Sequence, residues 1–392
     1  MHDTRPPTRT VLALAISLIA LFTGILTDKA WAVMVANTLD NTTAPEDDFG
    51  FANVGDKGTT GVYLGYRWVL TAAHTAAADI KFNGTVYEYE TGTDIRLKNP
   101  ADLGLSEYTD LRLFRITEDP FLPSLKIAED RMNVWADVVM AGNGVNRSDT
   151  ARAWKVTADY DNEENWTWTV TDPPGDLQGF TMGSGRAVRW GTNRVEPGMF
   201  AIQLSATNSF LGFMTRFDQY GATAYEAQAA SGDSGGGVFH KRGDQWELVG
   251  IMNAVSTYPS QPSSAIFGLE TYSTDLTVYR DQILEIITPL GGDANLDGAV
   301  NAVDASIMAA HWLRSDGVLW GHGDFNEDGI IDEADAIILG GNWGKTSASA
   351  GAAGEAATAR AVPEASLAAV FLIGCLALLA RRTGRYEQYA VR

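Results

Sequence analysis

Thiol chemistry is almost absent from this chain: its 392 residues include one cysteine, Cys375. No intramolecular disulfide can form, so any exported domain must hold by core packing, by bound metal or by both. Positive charge is scarce as well. Lys and Arg number 29 against 49 Asp and Glu, a formal net charge of -20, and nothing offsets repulsion by phosphates. That balance excludes nucleic acid as a partner. Histidine is rarer still, with five in the chain, so imidazole chemistry has few candidates. The 45% hydrophobic and 20% charged content is that of folded globular protein, which excludes a disordered or collagen-like chain, and the length suits two or three domains.

Long apolar runs are also missing. The run from Val11 to Phe22 follows Arg5 and Arg9 and precedes Ala30-Trp31-Ala32, a small-x-small cleavage pattern. It is shorter than the ~20 residues a spanning helix needs, so residues 1–32 read as a secretory signal peptide. At the other end come Val362-Pro363-Glu364-Ala365, an apolar run from Leu367 to Ala380, then Arg381, Arg382 and Arg385. This order resembles the PEP-CTERM sorting signal of Gram-negative bacteria, over residues 362–385. The resemblance implies a sorting enzyme as partner, transient membrane anchoring by the tail, and a final place at the cell surface or outside the cell. Cys375 lies inside the run, as a lipid-facing hydrophobe rather than a nucleophile. Residues 345–361 form a Ser/Ala/Gly-rich linker.

Between residues 33 and 290, short β-rich runs such as Gly61 to Leu64, Leu111 to Ile116, Val134 to Met140 and Trp246 to Met252 alternate with Gly and Asn/Asp clusters. The pattern predicts an all-β sandwich or barrel rather than βα units. A helical period near Leu276 to Ile287 predicts a closing helix. The stretch from Thr157 to Pro197, rich in Trp, Asp, Asn and Gly, reads as extended loops or an added hairpin.

The segment Ser231-Gly232-Asp233-Ser234-Gly235-Gly236-Gly237 places a serine among glycines, where a tight turn leaves backbone N–H groups free to hold an oxyanion. A serine hydroxyl needs a base, usually a histidine held in one tautomer by a carboxylate. His74 ends the string Trp68 to Ala73 and is flanked by small residues that leave room for the ring. His2 lies in the leader, His311 and His322 flank the acidic loops described below, and His240 follows Ser234 too closely. Asp110 opens the strand-like run to Ile116, and Asp102 is its nearest rival.

The strings Leu-Thr-Ala-Ala-His74, Asp110-Leu-Arg-Leu-Phe and Gly-Asp-Ser234-Gly-Gly, in that order, resemble the trypsin/chymotrypsin-like serine endopeptidases over residues 33–290. The resemblance implies a mainly β double barrel, protein or peptide substrates and no catalytic cofactor. It implies His74 as general base and acid, Asp110 as its orienter and Ser234 as nucleophile, with Gly232 and Ser234 N–H groups as oxyanion hole. It places Gln228, without fixed charge, at the floor of the primary pocket, Glu270 in the same pocket, and Asn253 to Val255 beside the peptide. Thr75 and Ala230 stand where many members carry disulfide cysteines. In the family the residue matching Asp233 pairs with a new N-terminal amine; cleavage after Ala32 supplies Val33. A propeptide over the following residues fits equally, since no Ile-Val-Gly-Gly-like start is present. A catalytically silent surface scaffold and an esterase using the same triad are the alternative readings.

Residues 291–344 repeat one pattern. Asp293, Asn295, Asp297, Ala299, Asn301 and Asp304 align with Asp324, Asn326, Asp328, Ile330, Asp332 and Asp335, with glycines at the sixth position. Side-chain oxygens at positions 1, 3, 5, 9 and 12 and a carbonyl at position 7 are what Ca²⁺ requires, so two ions are expected. With Asp at position 12 and helical stretches ending at Trp312 and Trp343, the repeat resembles the dockerin type I module, a small helical EF-hand-like domain. That family implies a cohesin-like partner. Here Ala302-Val303 and Glu333-Ala334 replace the Ser/Thr pairs of cellulosomal dockerins and leave the partner open.

Overall fold

The structure is a computed structural model that describes residues 33–38, 41–221 and 223–347. The leader at 1–32, most of the linker, the sorting tail and Cys375 lie outside the described residues.

Two antiparallel sheets form the larger part. In the first, seven strands run in the order Thr85–Tyr87, Ile80–Phe82, Val54–Asp56, Thr60–Gly65, Trp68–Ala72, Tyr108–Arg115 and Ile95–Lys98. The ten-stranded second sheet covers Asp137 to Asp275, with the long strands Asp137–Arg147, Leu177–Arg194 and Gln245–Val255 near its middle. The expectation of a mainly β body followed by a small helical region is met.

The central strands are buried on both faces, and alternation sorts their side chains between two clusters, Tyr63, Val69 and Phe114 going to the other one. Leu111 and Leu113 point inward from one strand, as do Val62 and Leu64 from its neighbour's neighbour, and they meet Val139, Phe239, Leu248 and Ile251 of the second sheet in one cluster. Each such side chain contributes about 2 kcal/mol by leaving water. Helix α1 (Arg280–Ile287) closes this core with Ile283 and Ile287, following a 3-10 turn at Leu276–Val278. The predicted closing helix is thus present, in two pieces.

A hairpin is present but begins before Thr157: Arg152–Thr157 pairs with Thr167–Thr171 at the outer edge of the second sheet, and Leu177–Arg194, expected among the loops, is one long strand. The hairpin's Trp154 and Trp168 pack with Tyr258, Ile266 and Leu269, and Trp168 Nε1 donates to Pro259 O at 3.0 Å. The hairpin therefore supports the 256–269 segment in a chain that has no disulfide to do so.

Helices α2 (Ala302–Ala310) and α3 (Glu333–Gly341) share a separate small core of Val300, Met308, Phe325, Ile331 and Leu339.

Candidate active site and calcium-type loops

His74 lies two residues past the strand Trp68–Ala72, and Asp110 lies at the start of its neighbour, where Ala72 stands opposite Leu111. The ladder register alone brings them together. His74 Nδ1 is 2.7 Å from Asp110 Oδ2, and the His74 backbone N–H donates to Asp110 Oδ1 at 2.9 Å. The Asp110 carboxylate is fully buried, while the His74 side chain is 34% exposed, so the ring is reachable from solvent. Asp102, the rival, sits in an exposed turn.

A buried carboxylate needs donors to both oxygens. Asn208 Nδ2 donates to Oδ1 at 2.9 Å and Asn253 Nδ2 donates to Oδ2 at 2.8 Å. The Asn253 amide is itself fixed, because its Oδ1 accepts from Thr274 N at 3.0 Å and from Thr274 Oγ1 at 2.7 Å. Asn253, the first of the residues expected beside the peptide, has its side chain turned inward onto Asp110. Asn208, the first residue of the strand Asn208–Arg216 that pairs with Phe200–Ser205, carried no sequence signal.

The Ser234 turn uses left-handed backbone at Gly232 (φ +103°) and Gly235 (φ +91°), which glycine adopts without strain. A Cβ on Gly235 would stand 2.2 Å from Thr71 Oγ1 and 3.0 Å from Ala72 N. The backbone beside Ser234 therefore presses on the end of the strand that leads to His74. Thr60 clamps the turn: its N–H donates to Ser234 O at 3.2 Å and its Oγ1 to Gly232 O at 2.6 Å. Gly235 N donates to Met252 O at 2.9 Å, tying the turn to the residue before Asn253. Among the described residues, the N–H groups of Gly232 and Ser234 have no backbone acceptor.

Asp233 is fully buried, and that burial pushes its carboxyl well above the usual range against the Ala230 hydrogen bond and the charges of Arg189 and Arg186. Its Oδ2 accepts from Ala230 N at 2.9 Å, whereas Oδ1 has no partner. Nearby, Val33 is buried and Met34 pairs with Gln228.

A polar cluster stands around Thr75. Thr75 Oγ1 donates to Ala72 O at 2.8 Å and accepts from Lys57 Nζ at 3.0 Å. Lys57 Nζ also reaches Thr59 Oγ1 and Ala76 O. Burial, with Arg112 close by, lowers this amine to about 8. Ala230 is buried among Met34, Phe180, Phe217 and Ala265.

The residues expected to line a pocket are neighbours: Thr271, next to Glu270, stands opposite Val255 and accepts from the N–H of Ala229, next to Gln228. Gln228 is buried with its Oε1 unpartnered, and Val255 stands at a strand end opposite Thr271. Glu270 holds Ser256, whose hydroxyl donates to it, and stands opposite Arg216.

In the acidic loops, Asp293 Oδ2 accepts from Gly298 N and Asn295 Nδ2 donates to Asp297 Oδ2; Asp324, Gly329, Asn326 and Asp328 repeat both contacts. Asp304 and Asp335 are fully buried, each accepting from backbone N–H groups at the start of its loop. Asn301 and Asp332, expected as ninth-position ligands, cap α2 and α3 by accepting from Val303 N and Ala334 N. Ala299 and Ile330, the carbonyl positions, donate their N–H groups to Asp297 and Asp328. Among the described residues, no group of three or more His, Cys, Asp or Glu is closed around one point as a metal site. The donor chemistry nonetheless fits a hard cation. Burial pushes Asp293 up to about 6, with the charges of Asp304 and Asp297 adding to it, and Asp324 is raised in the same way. Asp324 Oδ1 is buried without a partner.

Residues 291–342 match the family model of the dockerin type I domain, a family that binds calcium and cohesins. Among curated proteins, none matches this sequence. Among solved structures, the chain is similar to the inactive form of the M. tuberculosis protease Rv3671c, with 13% identity, a TM-score of 0.36, and coverage of 64% of this chain and 98% of that one. It is also similar to mouse neuropsin, described as a serine protease, with 16% identity, a TM-score of 0.35, and coverage of 62% and 97%. A mutant of human heparin binding protein has 14% identity, a TM-score of 0.36, and coverage of 64% and 96%.

Proposed function

We propose that the chain is an exported serine endopeptidase carrying a calcium-binding dockerin module. One observation carries the reading: a buried Asp110 holds His74 Nδ1 at 2.7 Å, at the strand end against which the Ser234 turn is packed.

In this reading Asp110 keeps the proton on Nδ1, which leaves His74 Nε2 free as base. Ser234 Oγ attacks the peptide carbonyl as its proton passes to Nε2. The N–H groups of Gly232 and Ser234 hold the oxyanion, His74 returns the proton to the leaving amine, and water then hydrolyses the acyl-enzyme. Substrate backbone lies along Asn253 to Val255, beyond the end of strand Gly237–Arg242, where no strand pairs with that edge among the described residues. Gln228 and Glu270 shape the pocket for the residue before the cleaved bond. The amine of Val33, freed by leader cleavage after Ala32, pairs with Asp233. The orphaned Oδ1 of Asp233 and the Met34–Gln228 pairing support that placement.

Bound calcium, one ion in each loop, would supply positive charge that offsets the carboxylates and would fix both loops. Asp293, Asn295, Asp297, Ala299, Asn301 and Asp304 would hold one, and Asp324, Asn326, Asp328, Ile330, Asp332 and Asp335 the other. A cohesin-like protein is the partner of the module, and the tail directs the protein to the surface of a Gram-negative cell.

The test is cleavage of a peptide library by the mature protein. Turnover that disappears in Ser234→Ala supports the reading; ester hydrolysis without peptide cleavage favours an esterase, and neither activity favours a silent scaffold.

A further inference from the structure

The dockerin-like module touches the first sheet through its metal-type loops. Leu296 and Glu327 each occupy position 4 of a loop, between ligand positions 3 and 5. The Leu296 carbonyl accepts from Arg67 Nη2 at 2.7 Å and from Arg115 Nη2 at 3.1 Å. The Glu327 carboxylate accepts from Tyr66 Oη at 2.8 Å and from Ser124 Oγ at 2.9 Å. Tyr66 also packs edge-on against Trp320 at 5.1 Å, whose Nε1 donates to the Asp293 carbonyl at 2.7 Å. Phe121 stacks on His322 at 5.2 Å.

Backbone strain is concentrated at the same contact. Tyr66, Arg67, Phe121, Leu296 and Glu327 all have φ between 52° and 66°. Non-glycine residues hold that conformation only where their surroundings over-determine it. The charges are complementary as well, two guanidinium groups facing an acidic loop.

The contact grips a particular part of the barrel. Arg67 precedes the strand Trp68–Ala72, and Arg115 stands at the end of the paired strand, with Trp68 opposite Arg115. The other ends of these two strands carry His74 and Asp110.

We propose that the two calcium-type loops form an intramolecular clasp on the barrel corner at Tyr66, Arg67, Arg115 and Ser124, so that ordering of the loops braces the strand pair bearing His74 and Asp110. This rests on the calcium reading of the loops. The clasp uses the loop side of the module and leaves Val303 of α2 and Ile337 of α3 exposed at 52% and 72%, so the helix face remains open to a separate partner.

Hydrogen exchange of the full-length mature protein, with calcium or with chelator, tests it. Calcium is expected to slow exchange in loops 293–304 and 324–335 and, roughly tenfold, in segments 64–72 and 111–117. In Arg67→Ala combined with Glu327→Ala, neither a ligand position, the loops keep their calcium protection while the barrel segments lose theirs. Tyr66→Phe, a milder change, should give part of that loss. Loops that respond to calcium while the wild-type barrel segments do not would overturn the clasp alone. Loops that show no response would overturn the calcium reading, and the coupling with it.

Discussion

Asn208 reaches Asp110 across 98 positions of sequence, its amide donating to Oδ1 at 2.9 Å. With Asn253 on the other oxygen, the carboxylate that orients His74 is held from two separate strands of the second sheet. The two sheets are thereby joined at the His74–Asp110 pair.

Removing one of these donors should slow the nucleophile without unfolding the protein. A hydrogen bond to a charged group is worth about 1.5 kcal/mol or more, so Asn208→Ala should lower kcat/KM on a peptide substrate roughly tenfold. A rate equal to wild type would show that Asn208 has no positioning role.

Thr60 is fully buried, donating to Gly232 O at 2.6 Å and accepting from Asn143 N at 2.8 Å. Thr60→Val keeps the shape and strands both partners, at a cost of about 2–4 kcal/mol. The urea midpoint should fall accordingly, and an unchanged midpoint would contradict the clamp.

The N-terminus of the mature protein should be Val33, and Asp233→Asn should then reduce activity on the order of 100-fold, since breaking a buried ion pair costs about 3 kcal/mol. N-terminal sequencing checks the first part. A fully active chain beginning elsewhere would remove the ion pair from the account.

Asp293 gives the module a pH signature. Its carboxyl is raised to about 6 in the metal-free fold. The folded state therefore binds a proton that the unfolded chain has already lost, and this contribution is full below about 4 and is lost as pH rises through about 6. In chelator, the melting temperature of the module should rise on acidification from pH 7 to pH 5. With calcium the trend should reverse, because protonation competes with the ion. A chelated melt that is flat across this range would contradict the crowding of carboxylates.

Much of this was legible before any coordinates. His74, Asp110 and the glycine turn around Ser234 sit in short contiguous strings, and the Asp and Asn positions of the two acidic loops recur at fixed spacing, so local pattern carries them. Asn208 was not legible, because nothing in an asparagine at the start of a strand tells which distant carboxylate it will meet. The Asn253 contact with Asp110 was not legible either: strand alternation fixes which side a residue faces only once its neighbours' register is known. The Lys57 and Thr75 cluster was equally hidden, since polar groups that replace a disulfide leave no spacing to recognise. The clasp lay beyond sequence reasoning for the same reason, as Arg67 and Leu296 are brought together by the packing of two units.

The most direct measurement is labelling of the mature protein with a fluorophosphonate probe, followed by mass spectrometry of the modified peptide. The account predicts one adduct, on Ser234, that is lost in Ser234→Ala and strongly slowed in His74→Ala. No adduct on the wild type, or one that survives Ser234→Ala, would contradict it.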